Sequence, residues 1–90
     1  MPICVIAYSG QGRLAAAVAR HLRACQIPVE GIVDRPTANR SALEALGVAV
    51  SLVPPNQADW EAYLSRREVG LIVLAGYLRK VPPAIVAAYS

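Results

Sequence analysis

The most constraining feature of the chain is its opening: an apolar run, a glycine turn and a helical pattern, in that order. Ile3-Cys4-Val5-Ile6-Ala7-Tyr8 is almost unbroken in its apolarity. Such a run suits a strand covered on both faces, as in a parallel sheet. Ser9-Gly10-Gln11-Gly12-Arg13 interrupts it with two glycines. Leu14, Val18, Leu22 and Cys25 then recur at helical spacing and predict a buried stripe, with Arg13, Arg20 and Arg23 turned to solvent. Glycine lets the backbone turn sharply from strand to helix. A helix start offers unpaired N–H groups and a partial positive charge, so the turn is a candidate anion site.

The remainder alternates strand and helix. Val29-Glu30-Gly31-Ile32-Val33-Asp34 reads as a second strand, and Arg35-Pro36-Thr37-Ala38-Asn39 as a loop. Ser41 with Glu44 fits a capping box for a short helix that ends at Gly47. Val48-Ala49-Val50-Ser51-Leu52-Val53 is a third strand, stopped by Pro54-Pro55. Asn56 or Asp59 caps a third helix running to about Arg67, with Trp60, Tyr63 and Leu64 on its core face. Gly70-Leu71-Ile72-Val73-Leu74-Ala75 is a fourth strand, expected to be buried on both faces and free of bulges. Pro82-Pro83 opens a last helix from Ala84 to Tyr89.

This order predicts one α/β domain over residues 1–90: an open parallel sheet of Rossmann-like type, strand order 3-2-1-4, helices on both faces. Ligands of such sheets bind outside the carboxyl ends of the strands where the order reverses. Here that is the crevice between the turn at residues 9–13 and the loop at residues 76–80.

Composition narrows the function. The chain has 90 residues, 56% of them apolar, and a net charge of +3 without any basic run. That favours small anionic ligands over nucleic acid. Cys4 and Cys25 have no metal-ligand spacing and read as small buried hydrophobes in a reducing cytoplasm, and no metal is expected. No apolar run reaches the ~18 residues of a membrane span, and no signal peptide pattern opens the chain. The single histidine, His21, falls mid-helix and builds no Ser-His-Asp or Cys-His arrangement.

Two readings of the crevice come from the residues and from a resemblance. Gly10, Gly12 and Ala15 fit G-x-G-x-x-A, and Asp34 lies 24 residues after Gly10, the pattern of an NAD(P)-binding domain in which Asp34 holds the adenosine ribose. The second reading is a family. Val5-Ile6-Ala7-Tyr8-Ser9-Gly10-Gln11-Gly12, Asp34-Arg35-Pro36-Thr37-Ala38, and above all Leu71-Ile72-Val73-Leu74-Ala75-Gly76-Tyr77-Leu78-Arg79-Lys80-Val81-Pro82-Pro83 resemble the first half of glycinamide ribonucleotide transformylase. The resemblance implies that Ser9, Gly10, Gln11, Gly12 and Arg13 hold the substrate phosphate. It implies that Tyr77, Leu78, Arg79, Lys80 and Val81 line the pterin pocket of 10-formyltetrahydrofolate, the formyl donor for a step of purine synthesis.

The chain departs from the family in three places. Arg13 follows the turn directly, where the family continues with Ser-Asn. Trp60 falls near a family arginine that assists phosphate binding. The family's catalytic asparagine, histidine and aspartate lie beyond the length of this chain, so an inactive half of the enzyme is expected. A stand-alone interaction module is a third reading. In a 3-2-1-4 order the strand at residues 70–75 is a bare edge, which predicts self-association.

Overall fold

The computed structural model describes residues 2–89. It contains β1 (Ile3–Tyr8), α1 (Arg13–Ala24), β2 (Val29–Val33), α2 (Ser41–Glu44), β3 (Val50–Leu52), α3 (Gln57–Leu64), β4 (Val69–Leu74) and α4 (Pro83–Ala88). The four strands form one parallel sheet in the order β3-β2-β1-β4. The sequence pattern predicts this order and the helical layers on both faces.

Strand alternation divides the core in two. Cys4, Ile6 and Tyr8 of β1 and Val33 of β2 meet Ala15, Ala16 and Ala19 of α1 and Leu43 of α2 on one face. Val5, Ala7 and Ile32 meet Trp60, Tyr63 and Leu64 of α3 and Ile85 of α4 on the other. Ile6, Ile32 and Trp60 are wholly enclosed; such burial stabilises by about 2 kcal/mol per side chain.

Small residues let the helices of the first face come close. A Cβ on Gly31 would stand 2.7 Å from the end of the Leu43 side chain, so any larger residue there would force Leu43 to shift. Helix α1 buries its alanines instead of the predicted Leu14 stripe; Leu14 is 59% exposed, and Val18 and Leu22 lie half-buried beside the core. Apolar periodicity locates a stripe, but a close helix–sheet contact selects the smallest side chains for its centre. Cys4 is buried as expected, whereas Cys25 is exposed at the end of α1, 4.0 Å from His21 Nε2.

Three other expectations are corrected. Ser41 does not cap α2: its hydroxyl donates to Asn39 Oδ1 at 2.6 Å, Arg40 takes the cap position, and no side chain caps that helix. For α3 the expectation holds: Asn56 is the cap, accepting from the Asp59 N–H at 2.9 Å. β4 is not buried on both faces. It lies at the sheet edge, as the strand order predicts, with β1 as its one neighbour among the described residues, and Leu71 is 54% and Leu74 51% exposed. Its pairing with β1 is also irregular: Ile3 faces Val69 but Cys4 faces Leu71, so the register shifts at Gly70.

Candidate functional site

The turn after β1 is fastened at both sides. The Ser9 N–H donates to the Gly76 carbonyl at 3.1 Å, and the Ser9 hydroxyl accepts from the Leu78 N–H at 2.8 Å. The Gly10 carbonyl accepts from the Asn39 N–H at 2.8 Å. Three loops, following β1, β2 and β4, are therefore joined at the carboxyl end of the sheet.

Within the turn only one glycine is forced. Gly12 has φ +77°, and a Cβ there would meet the Tyr8 ring at 2.9 Å. Gly10 has open space around it and is exposed, which leaves room for a ligand to approach the backbone. Helix α1 starts with Gly12 as its cap, with no capping side chain and no acidic residue in the first turn. Its first N–H groups have no intrahelical acceptor. Gln11, Arg13, Arg20 and Asn39 surround an open cleft at this point. Arg20 lies seven residues after Arg13, hence on the same helix face, a periodicity by which the sequence marks it as a second cation of the cleft.

The predicted site residues divide by exposure. Ser9 is buried, with its hydroxyl engaged. Gly10, Gln11 and Arg13 are exposed around the buried Gly12. In the loop after β4, Tyr77 and Val81 pack against the α3/α4 core, and the Tyr77 ring meets Trp60 edge-on at 5.8 Å. Burial pushes the Tyr77 hydroxyl pKa up. Leu78, Arg79 and Lys80 face outward, Leu78 being 72% exposed.

Asp34 sits at the centre of these loops, and its side chain has no exposed surface. Both its oxygens accept from Arg35, Oδ1 from Nε at 3.2 Å and Oδ2 from Nη2 at 2.8 Å. Arg79 Nε donates to Oδ2 at 3.3 Å. Burial alone raises the carboxyl pKa. The hydrogen bonds from Arg35, with its charge, outweigh it and hold the group below its ordinary value. The pairing of Arg35 and Arg79 through Asp34 is not visible in the sequence, where Arg35 reads only as a loop residue before Pro36.

Among the described residues no cluster of three His, Cys, Asp or Glu is placed to hold a metal, and no helix is long and apolar enough to cross a membrane.

Solved structures share this fold. A phosphoribosylglycinamide formyltransferase from Streptococcus pneumoniae TIGR4 superposes on the whole chain with a TM-score of 0.78 and 26% identity. The chain is similar to the phosphoribosylglycinamide formyltransferases along its full length. The formyltransferase from Coxiella burnetii matches with a TM-score of 0.74 and 27% identity, again over 100% of the chain. That from Anaplasma phagocytophilum shares the fold at 0.81 with 20% identity. The chain spans about half of each of these formyltransferases, between 46% and 53% of their length. No family model and no curated protein sequence matches it.

Proposed function

We propose that these residues form the N-terminal, ribonucleotide-binding half of a phosphoribosylglycinamide formyltransferase, a cytoplasmic enzyme that passes a formyl group from 10-formyltetrahydrofolate to glycinamide ribonucleotide. The observation that carries this is the uncapped start of α1, flanked by Arg13 and Arg20, in a fold otherwise similar to formyltransferases. The exposed turn residues Gly10, Gln11 and Arg13 hold the phosphate through backbone N–H groups and charge. Ser9 supports that turn from beneath. Leu78, Arg79 and Lys80 form the wall facing the folate, while Tyr77 and Val81 anchor that wall in the core.

Transfer requires a group that polarises the formyl carbonyl and a path for the amine proton. His21, the chain's one histidine, is exposed in the last turn of α1 and does not serve as that group. These 90 residues alone therefore form no formylated product when supplied with both substrates.

Amide NMR of the chain, titrated with ribose 5-phosphate, tests the reading. Shifts centred on residues 10–13 are expected. Shifts confined to remote residues overturn it, and NAD-dependent shifts at Asp34 would favour a dinucleotide site instead. The exposed edge of β4 is expected to self-associate. Light scattering checks this, with Leu71→Lys and Leu74→Lys reducing association because both side chains are already half in water.

A further inference from the structure

The chain's one histidine and its one exposed thiol meet at the far end of α1, about 18 Å along the helix from the anion turn. His21 and Cys25 are four residues apart and therefore share a helix face. Both are exposed, and Cys25 Sγ stands 4.0 Å from His21 Nε2. The spacing between the two cysteines builds no metal site, but imidazole and thiolate on one face are both metal donors.

The frame that carries them is fixed. After Cys25 the backbone turns through Gln26 at φ +62°. The Gln26 N–H donates to the Arg23 carbonyl at 2.9 Å, and the Ile27 N–H to the Leu22 carbonyl at 3.0 Å. Leu22 and Ile27 both pack against the core. This helix stop, with its apolar contact, holds the last turn against fraying. The nearby arginines are directed elsewhere. The Arg23 guanidinium lies over Gly47, and Arg20 lines the cleft with Gln11, Arg13 and Asn39. The partial negative charge of the helix end favours a cation beside Cys25.

We propose that His21 and Cys25 form a two-donor site for a soft metal ion of low coordination number, of the Cu⁺ class. Bond lengths of about 2.0 Å to nitrogen and about 2.3 Å to sulfur put the two donors about 3.6 Å apart at a tetrahedral angle and about 4.3 Å apart in a straight line. The observed 4.0 Å falls between these, a bent two-donor geometry. Among the described residues no third His, Cys, Asp or Glu joins the pair, whereas zinc takes three or four protein ligands. Thiolate and imidazole together suit copper. On binding, the Cys25 thiol gives its proton to solvent, and Nε2 of His21 offers its lone pair while Nδ1 keeps the ring proton. The site is independent of the crevice and of the function proposed for it.

Anaerobic titration of the 90-residue chain with Cu⁺, against a coloured Cu⁺ chelator as competitor, tests the proposal. One ion per chain is expected, with the His21 ring nitrogens and the Cys25 amide shifting in NMR. His21→Ala is expected to weaken binding about a hundredfold, because the second donor acts at high effective concentration. Cys25→Ser is expected to abolish it. Both positions are exposed, and the amide spectra of the variants report whether the fold is kept. Affinity unchanged in His21→Ala reduces the site to a bare thiol and overturns the proposal. Binding that persists in Cys25→Ser, or shifts confined to other residues, marks an adventitious ion only and overturns it as well.

Discussion

Strand β2 carries a carboxylate at each end, and arginines take both. At its start, Glu30 accepts from Arg67 Nε at 2.7 Å and from the Tyr63 hydroxyl at 3.1 Å, while the Arg67 guanidinium lies 3.7 Å over the Tyr63 ring. Past its end, Asp34 accepts from Arg35 and Arg79. The Glu30 cluster joins one helix to one strand, and both ion-pair partners stay partly in water, 29% and 25% exposed. The Asp34 cluster joins the loops after β2 and β4 around a carboxylate with no exposure. Burial in the first case pushes the Tyr63 hydroxyl pKa up, aided by the Glu30 charge. In the second, hydrogen bonds overcome burial and push a carboxyl down. The same chemistry therefore serves attachment at one end of the strand and orientation of exposed groups at the other.

If that distinction is right, removing the two carboxylates has unequal consequences. Asp34→Ala is expected to cost about 2 kcal/mol, below the full penalty of a broken buried pair because Arg35 and Arg79 can turn to water. Urea denaturation measures it, and amide shifts should spread through both loops. Glu30→Ala should cost about 1 kcal/mol and leave the crevice amides unmoved. A Glu30→Ala loss as large as that of Asp34→Ala, or crevice shifts in it, would erase the difference between the two ends.

A smaller effect separates charge from ring stacking at the Glu30 end. Arg67→Lys keeps the ion pair but gives up much of the stacking on Tyr63, and is expected to cost about 0.5 kcal/mol in urea denaturation. No loss at all would make the Glu30 cluster a simple ion pair.

Acid sharpens the Asp34 end. A carboxyl whose pKa is lowered on folding contributes stability that is complete well above its ordinary value of 3.8. The contribution fades as pH falls past that value and disappears below the folded one. The stability gap between the native chain and Asp34→Asn should therefore be constant near neutrality and narrow below about pH 4. A gap that widens on acidification would contradict the clamp.

Several elements were legible in the sequence for a local reason. The β1 run, the Gly12 turn, the Asn56 cap and the Pro83 helix start depend on neighbouring residues, so their type and order follow from the chain itself. Alternation with long crossovers fixed the parallel sheet, and with it the crevice between the turn and the loop after β4. The Ser41 capping box failed because Asn39 competes for the same hydroxyl, a choice between two local partners that spacing does not rank.

What only the tertiary structure decided depends on distance across the fold. The edge position of β4 follows from the strand order that the sequence predicts, but the exposure of Leu71 and Leu74 on its faces depends on how little of that strand the described helices cover. The burial of alanines in place of Leu14 follows from how closely α1 rests on the sheet. Asp34 meets Arg79 across 45 positions of chain, and Ser9 meets Leu78 across 69. Local pattern specifies which element each residue joins, because backbone propensity and side-chain period act over a few residues. Which side chains face one another across the crevice is set by packing, and packing is a property of the assembled sheet.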